Sequence, residues 1–149
     1  LDKLLSPLRS DYDYILVDTG PSLGSLTINA FTAADGIMIP FDAELFALVG
    51  LKELTDTISK IRQNLNPKVE IIGIFFTKCS KRTTLYREIS EQVHAVFGHL
   101  HIFESRIPAT VKVGMANSKG LSVMELDSKN EAATAYMNLA KEVLEYAST

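Results

Sequence analysis

Short apolar runs alternate along this chain with longer stretches in which apolar residues recur every three or four positions. That is the pattern of strands alternating with amphipathic helices. The chain opens on helical spacing with Leu1, Leu4, Leu5 and Leu8. Tyr14, Ile15, Leu16 and Val17 then read as a short buried strand ending at Asp18. The loop Thr19-Gly20-Pro21-Ser22 leads into a helical stripe of Leu23, Leu26, Ala30 and Phe31. Ile37-Met38-Ile39 is a second strand, stopped by Pro40, which has no N–H to give a central ladder. The clearest helix carries Leu48, Leu51, Leu54, Ile58, Ile61 and Leu65 and stops at Asn66-Pro67.

Val69 to Thr77 is almost continuously apolar, as a strand covered on both faces should be. A helix is expected from Thr83 to Phe97, through Leu85, Ile89, Val93 and Val96, ending at Gly98. His101 to Ile107 is a weaker strand, stopped by Pro108. After a loop rich in small residues, Ser128 and Glu131 have the spacing of a capping box and open a last helix through Ala132, Tyr136, Leu139 and Val143. This order predicts parallel strands joined by right-handed crossovers. The fold class is α/β, a three-layer, mostly parallel sheet with helices on both faces, one domain over residues 1–149.

Composition adds exclusions. With 149 residues, 46% of them apolar and 22% charged, the chain is long enough for a core and too apolar for disorder. Its one cysteine, Cys79, excludes a disulfide framework and any site built from several thiolates. No apolar run approaches the ~18 residues of a membrane span, and no secretory leader is visible, so a cytoplasmic protein without a membrane partner is expected. The first residue is Leu1 rather than methionine, which reads as a cut within a longer protein. The net charge of −3 is unevenly spread: −4 over residues 1–70, +4 over 71–120 and −3 over 121–149. A basic middle therefore sits in an acidic chain, and local potential decides what a surface attracts.

In open α/β sheets ligands gather at the carboxyl ends of strands. Those ends are Asp18 to Ser22, Pro40 to Glu44, Thr77-Lys78 and Pro108 to Thr110. Asp18 has two readings: it holds a Mg2+ ion directly or through water, or it caps the helix that follows. Lys78, Lys81, Arg82 and Arg87 fall at a loop and a helix start, where free N–H groups already favour phosphate; the other reading of these bases is a solvated loop. His99 and His101 lack a third metal ligand nearby, and Cys79 lacks a histidine partner, so neither marks a metal or thiol centre.

The segment Tyr12-Asp13-Tyr14-Ile15-Leu16-Val17-Asp18-Thr19-Gly20-Pro21-Ser22-Leu23-Gly24, with Asn29-Ala30 and Ala33-Ala34-Asp35 behind it, resembles the Walker B and switch II region of the ParA-type partition ATPases. These are members of the ParA/MinD group of P-loop ATPases with a deviant Walker A motif. The resemblance runs on through Ile39-Pro40, Glu44 to Leu48, Gly50-Leu51, Gly73, Thr77, Arg82-Thr83, Phe97-Gly98, Ile107-Pro108, Gly120 and the closing helix, in order and over almost the whole chain.

The resemblance implies a P-loop NTPase-like fold, ATP and Mg2+ as cofactors, a homodimer around two nucleotides, and slow hydrolysis stimulated by a ParB-like protein. It further implies non-specific DNA binding that segregates plasmids or chromosomes from a bacterial, nucleoid-associated location. Asp18 becomes the catalytic Walker B carboxylate, acting on Mg2+ through water, and Thr19, Gly20, Pro21 and Ser22 the switch. Thr77, Pro108 and Thr110 border the adenine, although Ala109 and Thr110 replace the more usual Arg-Asn pair, and Gly20 stands where many relatives have proline. Arg82, Lys112 and Lys81 become the DNA contacts.

The family's phosphate loop, K-G-G-x-G-K-[ST], is not among these residues; none of the eight glycines precedes Lys-Ser or Lys-Thr. The chain is therefore expected to be the C-terminal portion of such an ATPase: an ATP hydrolase when full-length, inactive as it stands, with no ATP bound. A truncated relative acting only in dimerisation or partner binding is the other reading. Family topology places the P-loop strand beside Tyr14–Val17, so without it that edge is expected to re-pair by closing the gap, swapping strands or dimerising.

Overall fold

The computed structural model describes residues 1–44, 46–80 and 83–147. It divides into two compact units, Leu1–Ile37 with Val49–Ile71, and Met38–Leu48 with Ile72–Thr149.

In the first unit, α1 (Asp2–Leu5) runs into a 3-10 turn over Ser6–Ser10, with Pro7 early in it where a missing N–H costs nothing. Arg9 ties this opening to the unit: its guanidinium reaches Asp35 at 3.3 Å, Asp2 at 3.5 Å and the Ala33 carbonyl at 3.5 Å. Helix α2 (Ser25–Ala33) buries Thr27, Ala30, Phe31 and Ala33. Its last carbonyls would be orphaned, and Asn66 answers them: Nδ2 donates to Ala34 O at 2.8 Å and to Phe31 O at 3.3 Å. Helix α3 (Ala47–Asn64) buries Leu51, Ile58 and Ile61 of the expected stripe.

One expected strand is missing. Residues 14–20 have no regular structure, and Leu16 is 89% exposed. Four apolar residues with β-forming side chains are not enough, because a strand exists only through the ladder it shares, and no described strand lies against them. The expected re-pairing by closure of the gap does not occur either; the sheet forms without this segment.

The sheet has the order β1-β2-β3, with β1 (Gly36–Asp42), β2 (Glu70–Cys79) and β3 (Ile102–Pro108), and β2 and β3 are parallel. All of it but the first residues of β1 and β2 belongs to the second unit. Pro40 does not stop β1 as expected. It sits at an exposed position inside an edge strand, where no ladder bond is lost.

Side chains alternate between two covered faces. On one, Phe41 meets Phe76 edge-on at 5.4 Å, and Phe76 meets Tyr86 and His94 of α4 (Thr84–Phe97). On the other, Met38, Phe75, Phe103 and Ile107 pack with Ala135, Leu139 and Val143 of α7 (Glu131–Ala147). Helices thus cover both faces, the three-layer α/β arrangement that the alternation predicts.

The loop expected between Pro108 and the last helix contains two short helices, α5 (Val111–Ser118) and α6 (Val123–Leu126). Thr110 caps α5 by accepting from the Lys112 N–H, and Gly120, at φ +66°, takes the left-handed position just past its end. Ala116, Val123, Ala132 and Ala133 join α5, α6 and α7 in a small satellite core. The capping box lies at Ser122 and Glu125 on α6, not at Ser128 and Glu131. Helix α7 is instead capped by Asn130, whose Oδ1 accepts from the Ala132 N–H at 3.0 Å.

The β2–β3 ladder is irregular. Ile74 pairs with Ile102 but Phe76 with Arg106, so β3 gains two residues on β2 before Cys79 pairs with Pro108. In that interval the Glu142 carboxylate on α7 accepts the backbone N–H of Glu104 at 2.7 Å and of Ser105 at 2.9 Å, and also the Ser105 hydroxyl.

Candidate functional site

The sequence-derived site residues fall into both units. In the first, Asp18, Thr19, Gly20, Pro21 and Ser22 form an exposed irregular segment leading to α2. The loop is tied down at its end, where the Thr27 hydroxyl donates to Ser22 O at 2.7 Å. Asp18 does not cap α2. The N-cap position is Gly24, without a side-chain cap, and the Asp18 carboxylate enters none of the ion pairs among the described residues. Of its two readings, helix capping is thereby removed. An exposed, unpaired carboxylate keeps its lone pairs for an outside partner.

In the second unit the carboxyl ends of the three strands converge. Cys79 pairs with Pro108, and the Ala109 N–H donates to Cys79 O at 3.2 Å. This places the end of β2, with half-buried Thr77, beside the loop Pro108 to Thr110. Thr110 already has a structural task as the α5 cap, since its Oγ1 accepts from Lys112 N. Across the other ladder, Lys78 Nζ sits 2.8 Å from Asp42 Oδ2. Hydrogen bonding to Asp42 holds the Lys78 amine above its usual range, with Coulomb attraction adding to it. Lys78 has φ +48°, a left-handed backbone at a residue other than glycine, which is stored strain at the end of β2 where a ligand is expected. The Asp42–Lys78 pair is not legible in the sequence, because which strand ends are neighbours depends on the sheet order.

A second feature of this face went unread in the sequence. The Arg106 guanidinium lies 4.2 Å over the Phe76 ring, and its Nη1 is buried without a hydrogen-bond partner among the described residues. Tyr86, packed edge-on to the same ring, has its phenol pushed up to about 12, chiefly by burial and then by a hydrogen bond with Cys79.

Of the expected DNA contacts, Lys81 and Arg82 lie outside the described residues, as does Leu45 of the resemblance. Lys112 is described, and its Nζ pairs with Asp127 at 3.5 Å, both side chains about 40% exposed. Among the described residues no group of three or more His, Cys, Asp or Glu could hold a metal ion, and no helix is long and apolar enough to cross a membrane. A cation held here would rest on Asp18 and water. Asp18 offers a cation one exposed carboxylate, and no run of glycines with a lysine is present among these residues to fit phosphates.

A parallel α/β sheet covered by helices, with polar groups gathered at its carboxyl ends, is the architecture of the P-loop NTPases. Comparison with known proteins narrows this. Residues 1–71 match the family model described as AAA domain. The chain is 40% identical over 144 residues to the chromosome-partitioning ATPase Soj of Treponema pallidum, which is 97% of this chain and 56% of that one. It is 41% identical over 133 residues to the chromosome partitioning protein ParA of Caulobacter vibrioides, 89% of this chain and 49% of that one.

Among solved structures, cobyrinic acid a,c-diamide synthase of Mycobacterium smegmatis with bound ADP and magnesium superimposes with a TM-score of 0.81 at 28% identity, over 99% of this chain and 53% of that one. The cell division ATPase MinD of Pyrococcus furiosus gives 0.78 at 16% identity over 97% of this chain and 56% of that one, a likeness of fold alone. The chain is thus a relative of the ParA-type partitioning proteins with a P-loop NTPase fold. It spans about half the length of the curated relatives it matches.

Proposed function

We propose that this chain is the Walker B and base-binding part of a ParA-type partitioning ATPase. Joined to a phosphate-binding loop, it forms a homodimer that binds ATP with Mg2+, hydrolyses it under stimulation by a ParB-like protein, and binds DNA without reading its sequence. The reading places it in the cytoplasm, on the nucleoid. The observation that carries it is Asp18: in a chain 40% identical to a chromosome-partitioning ATPase, this carboxylate is exposed, unpaired and free of any capping task.

On this reading Asp18 orients the water shell of the metal, which neutralises phosphate charge when bound. Thr19 to Ser22 follow the state of the phosphates, and their attachment to α2 through Ser22 and Thr27 passes that state to a helix. Thr77, Pro108 and Thr110 border the base, and the ladder bond from Ala109 to Cys79 fixes their spacing. Lys112, with Arg82 and Lys81, meets DNA phosphates. The other reading is a relative that only dimerises or binds a partner.

ATP turnover in a protein that joins this chain to such a loop separates the two. Turnover stimulated by DNA and by the partner, and abolished by Asp18→Ala, supports the ATPase with Asp18 in that role; wild-type turnover in Asp18→Ala removes Asp18 from the chemistry, and no turnover in either protein supports the binding module. This chain alone should show no saturable Mg-ATP binding at micromolar concentration by calorimetry.

A further inference from the structure

We propose that Asp42 and Lys78 form a latch across the ends of β1 and β2, and that this latch sets the position of the loop Pro108 to Thr110. Lys78, at φ +48°, is the one left-handed residue other than glycine among the described residues. A side chain there crowds its own backbone, whereas glycine takes the same conformation freely. Keeping a lysine at this position therefore costs stability, and what the lysine supplies is the contact of Nζ with Asp42 Oδ2 at 2.8 Å. Glu44 adds a weaker Coulomb attraction for the same amine. With the lysine side chain 73% exposed, the pair is screened by water and stands against a strain of similar size. Neither conformation of residue 78 is then far from the other, which is the condition for a two-state element.

The strain reaches the loop through Cys79, which pairs with Pro108 and whose carbonyl accepts the Ala109 N–H at 3.2 Å. Rotation of the backbone at residue 78 turns every atom that follows, so a Lys78 relaxed to an extended conformation carries the Cys79 carbonyl away from Ala109. Asp42 lies on β1, with β2 between it and β3, and its route to the loop runs through Lys78. Both are positioning residues. The base-side task of Pro108 to Thr110 rests on the function proposed above, but the latch is tested without nucleotide, so the two fail separately.

The test reads amide exchange by NMR in this chain, its Asp42→Asn and Lys78→Gly variants and the double variant. The Ala109 N–H reports the latch. The Ile74 N–H, which donates to His101 O at 2.9 Å near the other end of the β2–β3 ladder, is the internal control. Asp42→Asn should exchange about five-fold faster at Ala109 with Ile74 unchanged, and the Lys78 chemical shifts should leave the left-handed range. Lys78→Gly takes the left-handed backbone without strain, so it should keep the parent's protection at Ala109 and make Asp42→Asn silent. Salt should act on the parent as Asp42→Asn does, and this series carries the test if that variant does not fold. The proposal is overturned if Asp42→Asn and salt leave Ala109 unchanged, if Ile74 accelerates by the same factor as Ala109, or if Asp42→Asn acts undiminished in the Lys78→Gly background.

Discussion

Gly73 lies directly against Phe103: a Cβ added at 73 would fall 2.7 Å from the Phe103 ring and 2.9 Å from the His101 carbonyl oxygen. That carbonyl also accepts the Ile74 N–H at 2.9 Å, so β2 and the start of β3 meet here backbone to backbone. Phe103 is fully buried under α7 and cannot swing away. Gly73→Ala should therefore destabilise the chain by about 1 to 3 kcal/mol through overpacking, read as a lower denaturant midpoint at unchanged slope. An unchanged midpoint would mean that the two strands separate more easily than this packing implies.

Tyr86 should ionise late. Its phenol is pushed up to about 12, so the folded state favours the neutral form. Stability from this group is fully present below the ordinary phenol value near 10 and is lost as the pH rises from there through about 12. Ultraviolet titration of the chain should show late phenolate absorbance that Tyr86→Phe removes. Cys79→Ala, which deletes the hydrogen-bonding partner, should move that step to lower pH without abolishing it, because burial is the larger cause.

Glu125 moves the other way. The backbone N–H and the side chain of Ser122 both hydrogen-bond its carboxylate, lowering its pKa below the usual carboxylate value. The stabilisation of α6 is thus present above the unfolded carboxylate pKa and is lost as the pH falls through the lower folded value. Carboxyl chemical shifts followed through acid titration should place Glu125 below the ordinary glutamate value, and Ser122→Ala, which removes the hydroxyl but leaves the larger backbone N–H contribution, should raise it only part of the way.

Lys112 is held by Asp127 in a half-exposed pair, worth at most about 1 kcal/mol, which a phosphate can displace. In the DNA-binding form proposed above, Asp127→Asn should tighten DNA binding by freeing the lysine. Lys112→Ala should weaken binding equally for all sequences and reduce the salt dependence by about one ion. Equal affinity and equal salt slope in all three proteins would remove Lys112 from the interface.

Much of the fold was legible where the physics is local. Leu51, Ile58 and Ile61 recur at helical spacing whatever surrounds them, and Pro67 ends the segment on its own account. Tyr14 to Val17 show the opposite case, since β-forming side chains do not supply a neighbouring strand. Ser128 and Glu131 matched a capping pattern, yet Asn130 sits two residues nearer the helix and takes the amide first. Helices α5 and α6 announce themselves only through Thr110 and Ser122, because neither is long enough to show an apolar stripe. The candidate site divides in the same way. Asp18 could be singled out from its own strand-like context, whereas Lys78 with Asp42 and Glu142 with Ser105 depend on which elements become neighbours, a matter settled by the whole sheet.

The two units carry a practical corollary for anyone trimming this molecule. The chain passes from one to the other after Ile37, after Leu48 and after Ile71, inside β1, inside α3 and inside β2. No flexible tether marks a seam, and any terminus, tag or fusion partner placed at a unit boundary would sever a strand or a helix rather than release a module.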